Sequence, residues 1–564
     1  MGDSMRAFGG RVRRSLTGLS VLLLLGVAAC SSLFGDEDED PPRVFARGDA
    51  SADALADEAI PAAAPAFRPL SVREYNAAVA VLLRDDSSPG AQGLPKDDFK
   101  PFDNLFEYAS VSAAKVEAFD VLAEQVTAAL LADDARLAAL LPCVPASAGD
   151  AACFARVIER MGLLFLRRPI DSGERATFTA LVSDYAASEG PKSGLEVLFR
   201  VLLQHPDFLY RHEQGRLDPK TGYYALDDFE LASKLAFTLW GRPPTAELLD
   251  AAASGQLADP SAVRALATRM LADPQARAHL DFFHAAWLGY GKLAPGADKA
   301  PALAADMRAE TRHLVERVVF GPNGEGGPWR ALLTMDEAWV TPALATHYGL
   351  PAPQDAQGGW VKSTDPQRRG IFGTASFLSV GQKFGDTSTT QRGYNIKKQI
   401  FCETIAPPPA NLNVDEPPHD ATNPSRCKAD QLATTLLAPN SVCITCHGKL
   451  DPIGFGLERY DGQGALRSTQ PGAPECSLAG KGEVAGRGAF EGPAGLAELA
   501  LSSGRVEYCA VQRWINLANG SKVDPRIEAL TNRAYADFKT DGNLRSFILR
   551  QVTDPLFRLR RPLE

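Results

Sequence analysis

Apolar residues recur at helical spacing along most of the chain from Ser71 onward, and strand-like alternation is scarce; no other feature limits the available folds as much. Ser71 can N-cap a helix with Glu74 as its capping-box partner, and Tyr75, Ala78, Val79, Leu82 and Leu83 then fall on one face. The same spacing predicts one or two helices over Val111–Leu141, and others over Phe154–Phe165, Ser172–Ala187 and Ser193–Leu203, with breaks at Arg168-Pro169 and Gly190-Pro191. Asp227–Trp240, Ala246–Ser254, Ser261–Ala272, Ala276–Leu288 and Met307–Phe320 continue the series. Leu496–Ser502, Val506–Asn519, Pro525–Phe538 and Leu544–Val552 form a last helical unit. No repeat of fixed period accompanies them, which disfavours a solenoid. The fold class is mainly α, with several helical domains in series.

At roughly 150 residues per domain, 564 residues suggest three or four domains. Gly/Pro-rich punctuation and motif positions place boundaries at 67–148, 149–215, 216–365, 366–480 and 481–564. With 45% hydrophobic and 23% charged residues the chain is neither disordered nor fibrous. Its net charge of −10, without a dense Lys/Arg stripe, argues against nucleic acid or an anionic membrane surface as partner.

Residues 1–29 read as a secretory signal peptide: Arg6, Arg11, Arg13 and Arg14 precede a short apolar run from Leu19 to Ala29. That run falls short of the roughly 20 apolar residues a transmembrane helix needs. Its end, Val27-Ala28-Ala29-Cys30, resembles a bacterial lipobox in which Cys30 is acylated. The plainer alternative is an ordinary signal peptide with an incidental Cys30. Residues 30–66, with the acidic run Asp36–Asp40 and many Ala and Pro, read as a solvated tether. Ser31 in place of an Asp favours an outer-membrane destination, and membrane contact is expected through the lipid anchor alone.

Cys443-Ile444-Thr445-Cys446-His447 is the C-x-x-C-H attachment sequence of c-type haem. Two thiols on one helical turn can form thioethers to both haem vinyl groups, and the adjacent imidazole then becomes the proximal iron ligand. One covalent haem c per chain is therefore expected on Cys443, Cys446 and His447. Export agrees with this, since the attachment takes place outside the cytoplasm. The competing readings are a structural Cys443–Cys446 disulfide and half of a zinc site, the latter lacking a second Cys/His pair at the usual spacing.

The stretch that follows, Asp451-Pro452-Ile453-Gly454-Phe455-Gly456-Leu457-Glu458 and on through Asp461, Gly464 and Arg467, resembles the secreted cytochrome-c-like multidomain proteins of planctomycetes and myxobacteria. Leu70–Asn76, Phe165–Pro169, His205–Arg211, Glu230–Leu235 with Leu239-Trp240, Arg269–Pro274, Leu344–Leu350 and Arg369–Ile371 match the same family in order, so the resemblance spans roughly residues 68–560. It implies a haem-c-type helical domain with Gly/Pro-rich loops within 366–480, and domains otherwise of unknown function. It also implies a His shortly before the first Cys, where this chain has Leu436 and Leu437.

Neither Met nor His follows His447, so a compact His/Met cytochrome closed by downstream residues is excluded. The sixth ligand is then His419, His347, a distant Met, or none. Asp451-Pro452 and Gly454 read as a turn ending the attachment helix, which would bring Phe455 and Leu457 to the porphyrin. Arg467 could then reach a haem propionate; the alternative is a surface Arg467 paired with Glu458 or Asp461. Phe208, Tyr210 and Trp240 read as core packing, and Arg167-Arg168-Pro169 as a helix end with exposed charge. Cys143 and Cys153 flank one loop and form the preferred disulfide, while Cys402, Cys427, Cys476 and Cys509 leave their pairing open. No Ser/His/Asp triad, G-x-S-x-G, H-E-x-x-H or phosphate loop is present. Two functions follow: an envelope redox protein, possessing haem-dependent oxidoreductase chemistry or passing electrons to an envelope or secreted partner, and a non-redox surface scaffold with a Cys443–Cys446 disulfide.

Overall fold

A computed structural model of the chain describes residues 67–95, 101–105, 112–219, 222–293, 301–321, 323–383, 385–408, 418–522 and 526–560. The signal segment, Cys30 and the tether lie outside the described residues. Within them the fold is mainly helical, with several domains in series and a few short strands.

Local sequence sets the helix starts. The Ser71 hydroxyl accepts from the Glu74 N–H, and the Glu74 carboxylate accepts from the Ser71 N–H, opening the helix Val72–Leu83. The same reciprocal box, Asp171 with Glu174 and Asp227 with Glu230, opens Ser172–Glu189 and Asp228–Trp240. Each box satisfies two N–H groups that a helix start leaves without partners.

Arg167 ends the helix Ala151–Leu166 in the left-handed region at φ 59. Of the two arginines expected to be exposed here, Arg168 is half-exposed and pairs with Asp207 and Glu174. Arg167 is only 4% exposed. It donates to the carbonyls of Asp207, Phe208 and Tyr210, beyond the end of the helix Pro191–Gln204.

Two large cores result. The first gathers Tyr75, Val79, Val126, Met161, Phe165, Phe199 and Phe208. The second runs from Leu231 and Phe283 through Trp287 and Trp329 to Ile453, Leu457, Trp514 and Phe547. Trp240 packs at its edge, its indole N–H donating to the Met270 carbonyl at 2.9 Å. A smaller core of Met307, Val340, Leu344 and Tyr348 lies with the hairpin Glu337–Val340/Gly359–Lys362.

The first and last described strands meet in one segment. Phe67–Pro69 pairs antiparallel with Tyr210–His212, and Leu559–Arg560 pairs with Tyr224–Ala225, which also pairs with Arg216–Leu217. Disulfides join Cys143 to Cys153, Cys402 to Cys509 and Cys427 to Cys476. Among the described residues no helix is long and apolar enough to cross a membrane.

Candidate functional site

Cys443 is the N-cap of the helix Ile444–Phe455, and the His447 N–H donates to its carbonyl at 2.9 Å, closing the first turn. Cys443, Cys446 and His447 therefore stand at i, i+3 and i+4 on one face. Both thiols are free, Cys443 half-buried and Cys446 exposed. Val442, immediately before them, is 85% exposed.

The His447 ring is held from behind. Its Nδ1 lies 3.0 Å from Asp451 Oδ2 and 3.3 Å from the Thr390 hydroxyl. Asp451 is completely buried, and its Oδ1 accepts from Thr390 at 2.6 Å and Thr389 at 3.2 Å. A carboxylate on Nδ1 favours the tautomer with its proton there, which leaves the lone pair on Nε2. Nε2 has no hydrogen-bond partner among the described residues.

The two threonines come from the helix Thr389–Asn395, capped by the Ser388 hydroxyl on the Gln391 N–H. This helix crosses Ile444–Phe455 at backbone contact. A Cβ on Gly393 would lie 2.0 Å from the Leu450 carbonyl oxygen, and one on Gly454 would lie 2.0 Å from that of Thr389. The expected turn at Asp451-Pro452 is therefore corrected: the helix continues through Pro452 to Phe455. Gly454 serves close approach rather than positive φ. Leu457 is taken into the large core.

Downstream, Glu458 is a buried hub for Arg392, Lys428 and Arg467, at 3.2, 3.0 and 3.0 Å. Arg467 also reaches Asp386 at 3.2 Å, so its guanidinium is engaged by two carboxylates and the Glu458 carbonyl. Against the burial that would raise it, the Lys428 hydrogen bond and charge hold Asp386 down at about 2. Arg392 donates to the carbonyls of Leu378, Leu457, Tyr460 and Asp461, fixing the chain that leaves the motif helix.

His347 lies on the helix Pro342–Tyr348, its Nε2 2.9 Å from the Gln463 carbonyl oxygen. His419 is exposed. No hydrogen bond or ring contact joins either to His447 among the described residues. Nor is any group of three or more His, Cys, Asp or Glu among these residues arranged to hold a metal ion. Sequence reasoning assigned Asp451 to a turn and missed Thr389, Thr390 and Arg392, which reach the motif only through the helix crossing.

Three family models match parts of the chain. They are PSD5 (protein of unknown function, DUF1595) over residues 153–213, PSD4 (protein of unknown function, DUF1592) over 226–350, and PSCyt3 (protein of unknown function, DUF1588) over 368–470. These are planctomycete cytochrome-like domain families, and the C-x-x-C-H sequence falls inside the third match. No curated protein and no solved structure matches the chain.

Proposed function

We propose that the chain is an exported, lipid-anchored monohaem c-type protein acting in electron transfer or haem-based redox chemistry at the cell envelope. The observation that carries this reading is the His447 arrangement: two free thiols one turn before and beside an imidazole whose Nδ1 is held by a buried carboxylate. Cys443 and Cys446 would hold a haem covalently and His447 Nε2 would ligate its iron, which supplies one-electron chemistry when bound. Asp451 would orient that ligand and raise its basicity, as carboxylates behind metal-bound histidines do. The exposed Val442 offers apolar surface beside the first thiol. The free thiols count against the scaffold reading, which needs a Cys443–Cys446 disulfide.

The test is production of the full chain in a host with haem-attachment machinery, followed by acid–acetone extraction and a pyridine haemochrome spectrum. One haem per chain that resists extraction is expected, lost in the Cys443→Ser/Cys446→Ser variant. Protein that never carries haem, or releases all of it, refutes the proposal. Lipid anchoring predicts that Cys30→Ser moves the protein from the membrane fraction to the soluble fraction; unchanged partition refutes that part.

A further inference from the structure

Away from the haem motif, a cavity of about 390 Å³ opens between the helices Asp228–Trp240, Arg505–Asn519, Arg526–Phe538 and Leu544–Thr553. Trp514, Leu530, Val552 and Phe557 supply apolar wall. Two polar side chains of Asp228–Trp240 line it: Lys234, 2% exposed, and Thr238, 3% exposed. The Thr238 hydroxyl is buried without a hydrogen-bond partner among the described residues. Buried hydroxyls in native proteins are ordinarily paired, so this one marks a missing partner.

Lys234 is the second anomaly. Its Nζ donates to the Phe557 carbonyl at 2.6 Å, which leaves two of its three donors. The nearest carboxylate oxygen, Glu213 Oε2, is 3.9 Å away, beyond hydrogen-bond reach. Glu213 is already taken by Arg68, Arg560 and Arg211, and Arg211 also pairs with Glu74. Among the described residues, then, three buried guanidiniums and the Lys234 amine share two carboxylates at this cluster. Buried charge in such excess is costly unless compensated. The ionic groups at the cavity's other side cancel one another, Arg533 with Asp554 and Arg550 with Asp537. Burial, and then the Arg211 charge, push the Lys234 amine well below its ordinary range, and a carboxylate set against it would restore its proton and make it an ammonium.

We propose that this cavity binds a small monocarboxylate with a short apolar body, one oxygen taken by Lys234 and the other by the Thr238 hydroxyl. The single ammonium and single hydroxyl suit the two oxygens of one carboxylate. An inorganic phosphate, with more oxygens and more charge, would find apolar wall where it needs donors.

Calorimetric titration of the full chain with octanoate, octan-1-ol and inorganic phosphate tests the assignment. Octanoate should bind saturably at one site and at least about tenfold more tightly than octan-1-ol, the difference a charge-assisted hydrogen bond makes. Phosphate should not bind. Lys234→Met should abolish the preference for octanoate over octan-1-ol, and Leu530→Trp, which fills the cavity without touching the charged cluster, should abolish octanoate binding. Absence of saturable octanoate binding to the wild-type protein overturns the proposal. So does equal affinity for the alcohol, tighter binding of phosphate, or undiminished octanoate binding in folded Leu530→Trp protein.

Discussion

Replacing Asp451 by Asn should raise the reduction potential of a haem held by His447 by about 50 mV. The buried Asp451 carboxylate faces His447 Nδ1 at 3.0 Å and no compensating cation is bonded to it among the described residues; its other partners are two threonine hydroxyls. A negative charge there favours the oxidised, more positive state of the iron. Hydrogen bonds to charged groups contribute about 1.5–3 kcal/mol and neutral ones about 0.5–1.5, so neutralising the acceptor forfeits about 1–1.5 kcal/mol. With 59 mV per tenfold change for one electron and about 1.4 kcal/mol per tenfold, that difference is roughly 45–65 mV. Asn preserves the shape of the side chain and can still accept from Nδ1 through its own oxygen. The assay is a potentiometric titration followed by absorbance, beside a pyridine haemochrome spectrum to establish equal haem loading. Thr390→Val is the companion variant: it removes a donor from the same carboxylate, leaves more of its charge on His447, and should lower the potential. An unchanged potential in Asp451→Asn with intact loading, or a lowered one, refutes the reasoning.

Glu310 gives a pH prediction. Burial raises its carboxyl from 4.5 to about 7, although it accepts from the Tyr348 hydroxyl and the Ala375 N–H and lies near Arg368. The folded state therefore holds this proton more tightly than the unfolded chain does; the contribution is fully present below the unfolded value and is lost as pH rises through about 7. Across that window the wild type should lose up to about 3 kcal/mol relative to Glu310→Gln, measured by denaturant unfolding; parallel stability curves would refute it. Gly393→Ala should destabilise the crossing under His447 by about 2 kcal/mol or more, since the new Cβ meets the Leu450 carbonyl rather than a movable side chain. An unchanged melting temperature would show that the helices separate freely.

Helix existence was legible because the 3.6-residue apolar period and the capping pairs are local, and the C-x-x-C-H turn was legible for the same reason. Pro452 shows where local rules stop. Proline is a poor residue inside a helix, but here the segment is clamped to Thr389–Asn395 by two glycine contacts, and packing outweighs propensity. Thr389 and Thr390 carry no local signal for a role at His447, because the crossing that delivers them joins segments far apart in the chain. Arg467 had two sequence readings, and the structure gives it Glu458 together with an Asp386 that no local pattern connects to it. Arg167 differs from its expected exposure because the carbonyls it satisfies belong to a later turn.

The meeting of Arg68, Arg211 and Arg560 on Glu213 has a consequence for the order in which the molecule is made. Helices and their nearest packing partners can form while later residues are still being added, since their contacts close short loops. Glu213 cannot: its full set of partners exists only once residue 560 has arrived, and the strand Tyr224–Ala225 lacks one of its two neighbours until then. Completion of this clasp is therefore the late step. A chain interrupted before Arg560 would keep both large cores and yet carry an open strand edge and a carboxylate short of one partner, the kind of local opening that proteases find first.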